Sequence, residues 1–149
     1  MITITPIFSF NDALQVRKIR NSCRQYMTHN TKEIGFLGQI RWWIDYESQN
    51  KKEGYKWCYL VRNNKIPVGY GLVRYIDGKH WLSGGLLPEV RGQGLGKKLF
   101  EFLIKEYSPH DLYLEVLKSN EKAYKLYSQL GFKKTGEEND IVTMAREGK

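Results

Sequence analysis

The sequence predicts an α/β chain of the α+β kind. A mixed, mostly antiparallel sheet of six or seven strands should carry about four helices. Three observations point there. Short alternating apolar runs recur between turn signals, and Asp77-Gly78 joins two of them as a hairpin. Stretches with apolar residues at helical spacing separate the other runs. A glycine-rich segment, Gly92-Gln-Gly-Leu-Gly96, leads from a strand into a helix.

Residues 2–8 alternate as a first strand. Asn11 caps a helix predicted to reach Met27, with Leu14, Ile19, Cys23 and Met27 near helical spacing. Thr31 starts a second helix with Leu37, Ile40, Ile44 and Glu47 along one side. Trp57 to Val61 is a strand, Asn63-Asn64 a turn, and Ile66 to Ile76 a strand with Pro67 at its start. His80 to Leu87 returns antiparallel to it, and Pro88 ends that run. The next helix spans 95–107, buries Leu99, Phe102 and Leu103, and stops at Ser108-Pro109. Asp111 to Leu117 alternates as a strand. Ser119 or Asn120 opens a last helix through Leu130, and Gly131 closes it in the left-handed conformation. Residues 132–135 and 141–145 form the final strands. No linker or repeat divides the chain, so one domain over 1–149 is expected.

Composition narrows the class. Hydrophobic residues are 41% and charged residues 27% of the 149, the balance of a globular protein. No run approaches the roughly 18 apolar residues of a membrane span, and the start lacks signal-peptide character. Cys23 and Cys58 have no metal-ligand spacing, so two reduced thiols, a cytoplasmic location and no metal are expected. The net charge is +8, and residues 1–75 carry 12 Lys and Arg against 5 Asp and Glu. Those charges, Arg17, Lys18, Arg20, Arg24, Arg41, Lys51 and Lys52 among them, are scattered. Three readings fit them: a solubilising surface, an acidic ligand, or, less well without a basic block, nucleic acid.

The glycines at 92, 94 and 96 free the backbone to turn its amides toward one anion beside a helix N-terminus. An ATP loop would need glycine where Arg91 stands and a hydroxyl where Lys98 stands. A dinucleotide fingerprint would need its third glycine at Lys97. Neither spacing fits.

Pro88-Glu-Val-Arg-Gly-Gln-Gly-Leu-Gly96 resembles the R/Q-x-x-G-x-G/A signature of the GNAT superfamily of N-acetyltransferases. Asn120, Ala123, Leu126-Tyr127 and Gly131-Phe132 are similar to its second motif, N-x-x-A-x-x-L-Y-x-x-x-G-F, and Ile141 to Met144 to its usual last strand. The clear resemblance covers about 80–145, and the order of elements extends it to the whole chain.

The resemblance implies a GNAT-like sheet with a V-shaped splay between its central strands. It implies an acyltransferase that uses acetyl-CoA as co-substrate. The amides of Arg91, Gly92, Gln93, Gly94, Leu95 and Gly96 would bind the pyrophosphate, and Leu86 and Leu87 would pair with the pantetheine arm. Asn120 would contact the arm, cap its helix, or both. Tyr127 would protonate the departing thiolate. Some relatives carry a glutamate on the strand before the glycine loop, but residues 80–87 hold no carboxylate. His80 and Glu115 are then the candidate bases, with water as a relay. Direct attack in a ternary complex needs no cysteine.

Tyr26, His29, Trp42 and Trp43 are candidates for binding the acceptor. Trp42 and Trp43 are adjacent, so one of them is expected to face a pocket. Arg20-Asn21 through Tyr26-Met27, then Ile34, Gln39 and Trp42-Trp43, loosely resemble the front part of acetyltransferases acting on nucleotide-linked amino sugars, which suits an acidic small-molecule amine. A protein or peptide N-acetyltransferase and a non-catalytic acetyl-CoA-binding module remain as alternatives. A homodimer accords with the family, while no membrane partner and no nucleic acid are expected.

Overall fold

Three two-residue turns set the register of the sheet. Asn64-Lys65, Asp77-Gly78 and Asn139-Asp140 each hold both residues at positive φ, between 49° and 78°. Such turns match the twist of paired strands. The structure, a computed structural model, describes residues 1–29, 31–53 and 57–149.

In chain order the elements are β1 (Ile2–Pro6), α1 (Phe10–Asn21), a 3-10 turn (Arg24–Tyr26), α2 (Phe36–Glu53), β2 (Cys58–Asn63), β3 (Ile66–Ile76) and β4 (Lys79–Leu86). A second 3-10 turn (Pro88–Val90), α3 (Leu95–Glu106), β5 (Leu112–Leu117), α4 (Glu121–Gln129), β6 (Lys133–Glu138) and β7 (Ile141–Arg146) follow. The strands form one sheet in the order β1-β2-β3-β4-β5-β7-β6. Every pairing is antiparallel except β4 with β5. That parallel pair holds only at His80↔Leu112 and Trp81↔Tyr113. Beyond those residues the two strands part, and the sheet opens as a V.

Each face of the sheet has its own core. Leu99, Phe100, Leu103 and Ile104 of α3 pack on one face with Val73, Leu82, Leu112 and Leu114. Ala123, Tyr124, Tyr127 and Leu130 of α4 and its end join them partly buried. The other face takes Ala13, Val16 and Ile19 of α1, Tyr46 of α2, and Leu60, Tyr70 and Leu72. Burying apolar stripes on both faces is what holds a three-layer arrangement together.

The helices differ from expectation where tertiary contacts compete. The first helix is capped by Ser9, not Asn11: Ser9 Oγ accepts from Asp12 N at 3.1 Å while Asp12 Oδ2 accepts from Phe8 N at 3.0 Å. The Ser9 side chain caps the helix, and the Asp12 reach-back falls on the amide one residue before the cap. The helix ends at Asn21, short of Met27, because Cys23 tucks against the backbone of β4, where Sγ donates to Leu86 O at 3.3 Å.

The second helix begins at Phe36, not Thr31. Arg24 donates to Thr31 O at 3.0 Å, Arg20 to Lys32 O, and Arg17 to Ile34 O at 2.8 Å. Carbonyls held by arginines do not start a helix. Its buried side is Gln39 and Tyr46, while Leu37 and Ile44 are 72% and 62% exposed. Trp42 and Trp43 both stack on Tyr46, at 5.5 Å, which turns the helix away from the apolar side read from the sequence.

Smaller differences follow the same logic. The turn expected at Asn63-Asn64 lies one residue on, at Asn64-Lys65. In α3 Phe100 and Ile104 are buried, and Phe102 packs partly exposed on Tyr59 at 5.3 Å. The strand at 133–138 outruns its expected end because it is a polar edge with no buried face to alternate with.

Leu103 is fully buried beneath β3, and its methyls lie 3.3 and 3.6 Å from where a Cβ on Gly71 would stand. We predict that Leu103→Ala lowers unfolding stability by about 3 kcal/mol, read from urea denaturation.

Candidate active site

The V between β4 and β5 has three kinds of wall. The first is the loop from Pro88 into α3. Gly92 and Gly94 hold φ of +78° and +82°, and a Cβ on either would meet nothing within 4 Å. Their glycines therefore serve backbone conformation beside open space. Among the described residues, the amides of Gly92, Gln93, Gly94, Leu95, Gly96 and Lys97 have no backbone partner; the first helical bond is Lys98 N to Gly94 O at 3.2 Å. Leu95 is buried and Gly96 half-buried, while Gly92, Gln93, Gly94 and Lys97 are exposed, so the row of donors is open to an acceptor from outside. With the positive end of the α3 dipole, they form a cradle for an anion.

Arg91 shapes the cradle instead of entering it. Its amide donates to Pro88 O at 3.3 Å, so that N–H is already engaged. Its Nε donates to Leu86 O at 3.1 Å, its guanidinium to Ser22 O at 3.3 Å, and it lies 5.0 Å over the Tyr26 ring. Gln93 is exposed and reaches back to Glu89 O at 3.5 Å.

The second wall is the free edge of β4. Leu87 N donates to Val68 O at 2.8 Å, so Leu87 and alternate residues before it bond to β3. Alternation then turns the N–H and C=O of Gly84 and the N–H of Leu86 toward the V, while Leu86 O is held by Arg91 Nε and Cys23 Sγ. Gly84 leaves no room for a side chain: a Cβ would lie 2.8 Å from Tyr70 O and 3.0 Å from Leu99. Across the V stands α4. Leu126 and Leu86 come within 3.7 and 3.8 Å of a Cβ placed on Gly96. Asn120 caps α4, its Oδ1 accepting from Ala123 N at 3.3 Å, which leaves the Nδ2 hydrogens for another partner. Tyr127 packs on Phe100 at 4.9 Å and Phe132 at 6.2 Å, and burial pushes its phenol up to about 12. It is protonated at neutral pH.

The third wall bounds a cavity of 980 Å³ on the α1 and α2 side of the sheet. Arg17, Arg20, Lys32, Arg74 and Lys79 line it against Glu33, Asp77 and Glu115, with Trp42 and Trp81 among its apolar walls. Tyr70 is held neutral there by burial, which raises its pKa. His29 and Glu115 meet across the cavity, Nε2 to Oε1 2.9 Å.

The expected residues divide accordingly. Leu86 ends β4 and Leu87 follows it, Gly92 to Gly96 form the loop into α3, and Asn120 and Tyr127 lie at the cap and last turn of α4, whose Leu126 stands beside Gly96. Of the acceptor candidates, His29 and Trp42 line the cavity; Tyr26 and Trp43 are not among its lining residues. Tyr26 lies under Arg91 and Trp43 stacks on Tyr46. Glu115 faces the cavity, but His80 does not. Period-two alternation turns His80 to the opposite face, where it stacks on His110 at 4.2 Å and lies 6.0 Å from Tyr107. Burial and His110 lower its pKa.

Arg74 and Trp81 escaped the sequence reading, although they are a cross-strand pair. Counting outward from Asp77-Gly78 yields that pair, so the signal was available. Among the described residues no group of three or more His, Cys, Asp or Glu could hold a metal, and no helix is long and apolar enough to cross a membrane. Both cysteines are free and buried.

A family profile described as acetyltransferase (GNAT) family matches residues 14–132. A 5-NmdU N-acetyltransferase of Pseudomonas phage PaMx11 is 43% identical over 53 residues, which are 36% of this chain and 38% of that protein. The peptidyl-lysine N-acetyltransferase YjaB of Salmonella typhimurium is 37% identical over 76 residues, 51% of this chain and 49% of that protein. The chain thus spans half or less of the curated relatives it matches. A phosphinothricin acetyltransferase of Sinorhizobium meliloti, solved with acetyl-CoA, superposes with a TM-score of 0.79 at 17% identity, covering 99% of this chain and 89% of that one. That likeness concerns the fold.

Proposed function

The chain belongs to the acetyltransferase (GNAT) family, and from that premise we propose that residues 1–149 act as one catalytic domain. It transfers an acetyl group from acetyl-CoA to a primary amine of a small, acidic molecule. The observation that carries this reading is the row of unpartnered amides from Gly92 to Lys97 at the open end of the V. Acetyl-CoA supplies the activated acetyl thioester. The diphosphate fits the cradle because glycine leaves the space and the amides supply the donors. The free edge of β4 at Gly84 and Leu86 accepts an extended arm as an added strand, and Asn120 Nδ2 reaches it from α4.

Tyr127 then serves as the acid. Its neutral phenol donates a proton to the leaving sulfur, and burial keeps it neutral throughout the working range. The acceptor enters from the cavity and attacks directly, with no acetyl-enzyme. Two free, buried cysteines suit a reducing compartment, the cytoplasm.

The cavity supports the acidic acceptor. Five cationic side chains line it against three carboxylates, and Trp42 and Trp81 offer rings for stacking. A nucleotide-linked amino sugar has all three features required: anionic diphosphate, planar base and amine. A peptide lysine is the second reading, favoured by the likeness to the Salmonella enzyme over 76 residues.

The test is thioester release with UDP-glucosamine, glucosamine and a lysine peptide. The expected order puts UDP-glucosamine first by kcat/KM, with the advantage shrinking as salt rises. Preference for the peptide would move the acceptor to the second reading.

Two substitutions probe the donor side. Gly94→Glu places bulk and negative charge in the cradle and is expected to abolish micromolar binding of coenzyme A by calorimetry. Retained affinity would make the loop a structural turn. Tyr127→Phe is expected to lower kcat about 100-fold or more with coenzyme A affinity kept. An unchanged kcat removes Tyr127 from the mechanism.

A further inference from the structure

We propose that His29 takes the proton of the acceptor amine and that Glu115 holds its ring for the task; this rests on the acetyl-transfer reading above. His29 lies between α1 and α2, and Glu115 lies in β5, 86 positions away. Their side chains nevertheless meet at 2.9 Å, and both line the acceptor cavity. The parallel register of β4 and β5 ends at Trp81↔Tyr113. Two residues further along each strand, where the strands have parted, come Ser83 and Glu115, and both line the same cavity. The His29–Glu115 contact therefore sits where the cavity opens into the V.

The two partners are unequally exposed. The Glu115 side chain is 27% exposed and that of His29 70%. The carboxylate is held while the imidazole stays within reach of an incoming ligand. Glu115 Oε1 accepts from Nε2–H of the neutral ring, which leaves Nδ1 with its lone pair free to accept a proton. A carboxylate in this position fixes the tautomer and stabilises the imidazolium that forms. The other charged groups on the cavity wall are Arg17 and Arg20 of α1, Lys32 and Glu33 of the connecting segment, Arg74 of β3, Asp77 of the hairpin and Lys79 of β4.

The proton balance is closed. An alkylammonium gives one proton to Nδ1 of His29 and becomes a nucleophile. Its nitrogen lone pair forms the C–N bond to the thioester carbon, and the C–S bond breaks. The sulfur takes a proton from Tyr127, which recovers it from the second N–H of the attacking nitrogen. The proton on His29 passes to water. Glu115 neither gives up nor takes a proton in this sequence and is a positioning residue, and His29 is the catalytic one.

The experiment compares two amines with different needs. 2-Aminoethyl phosphate is an alkylammonium at neutral pH, and O-methylhydroxylamine is already neutral. His29→Gln is expected to lower kcat for the first about 100-fold. It should leave the second nearly unchanged, with KM and coenzyme A affinity kept. In the same variant the rate with 2-aminoethyl phosphate should keep rising with pH toward the amine's own pKa of about 10, while the rate with O-methylhydroxylamine should not. Glu115→Gln should fall between the two proteins, and added imidazole should recover part of the rate of His29→Ala. Equal losses for both amines, or no loss for either, overturn the proposal alone. A wild-type chain that binds coenzyme A yet acetylates neither these amines nor UDP-glucosamine, glucosamine or the lysine peptide overturns the acetyl-transfer reading as well.

Discussion

The separation of β4 from β5 is the constraint on which the rest depends. Two strands that pair at His80↔Leu112 and Trp81↔Tyr113 would ordinarily continue as a ladder. Here the carbonyl of Leu86 is turned to other donors, Arg91 Nε and Cys23 Sγ. Cys23 reaches it only because the helix before it ends at Asn21 and because Gly85 has no side chain: a Cβ there would lie 2.8 Å from Cys23 Sγ. On the opposite face Leu99 presses on Gly84 in the same way. The end of β4 is thus pinned from both sides, away from β5. An unpaired strand edge must be satisfied by something, and an extended ligand arm meets that need.

The arginines of α1 connect the same geometry to the acceptor side. Arg17 and Arg20 share one face of α1, Arg24 follows in the 3-10 turn, and together they hold the carbonyls of Ile34, Lys32 and Thr31. Asn21 adds a reciprocal pair with Ile34, at 2.9 and 3.2 Å. Neutral carbonyls do not cancel the cations' charge, so Arg17 and Arg20 build the cavity wall and keep its field positive. The same scaffold that keeps 31–34 out of the helix makes the pocket basic, and it carries the segment from which His29 reaches Glu115.

What the sequence revealed depended on whether local chemistry set the outcome. Gly131, at φ +96°, closes α4 as expected, and the Asp77-Gly78 hairpin stands where it was read. Local turn chemistry decides both. Glycine spacing at 92, 94 and 96 suggested an anion cradle and excluded two phosphate loops, and only the resemblance to the GNAT signature named the pyrophosphate. The start of α2 was not legible, since arginines 7 to 17 positions upstream claim its first carbonyls. Trp42 and Trp43 misdirected the helix face, because both flank Tyr46 and only Trp42 reaches the cavity. His80 lies on a correctly read strand with its side chain on the far face, a distinction the hairpin register alone could have drawn. The His29–Glu115 contact joins residues 86 apart and had no local signature at all.

A crystal structure of the chain with coenzyme A tests the central claim most directly. The expected result is a diphosphate within hydrogen-bond reach of the amides between Gly92 and Lys97, with the pantetheine arm along the free edge of β4 at Gly84 and Leu86. A diphosphate bound elsewhere, or an arm that does not enter the gap between β4 and β5, contradicts it.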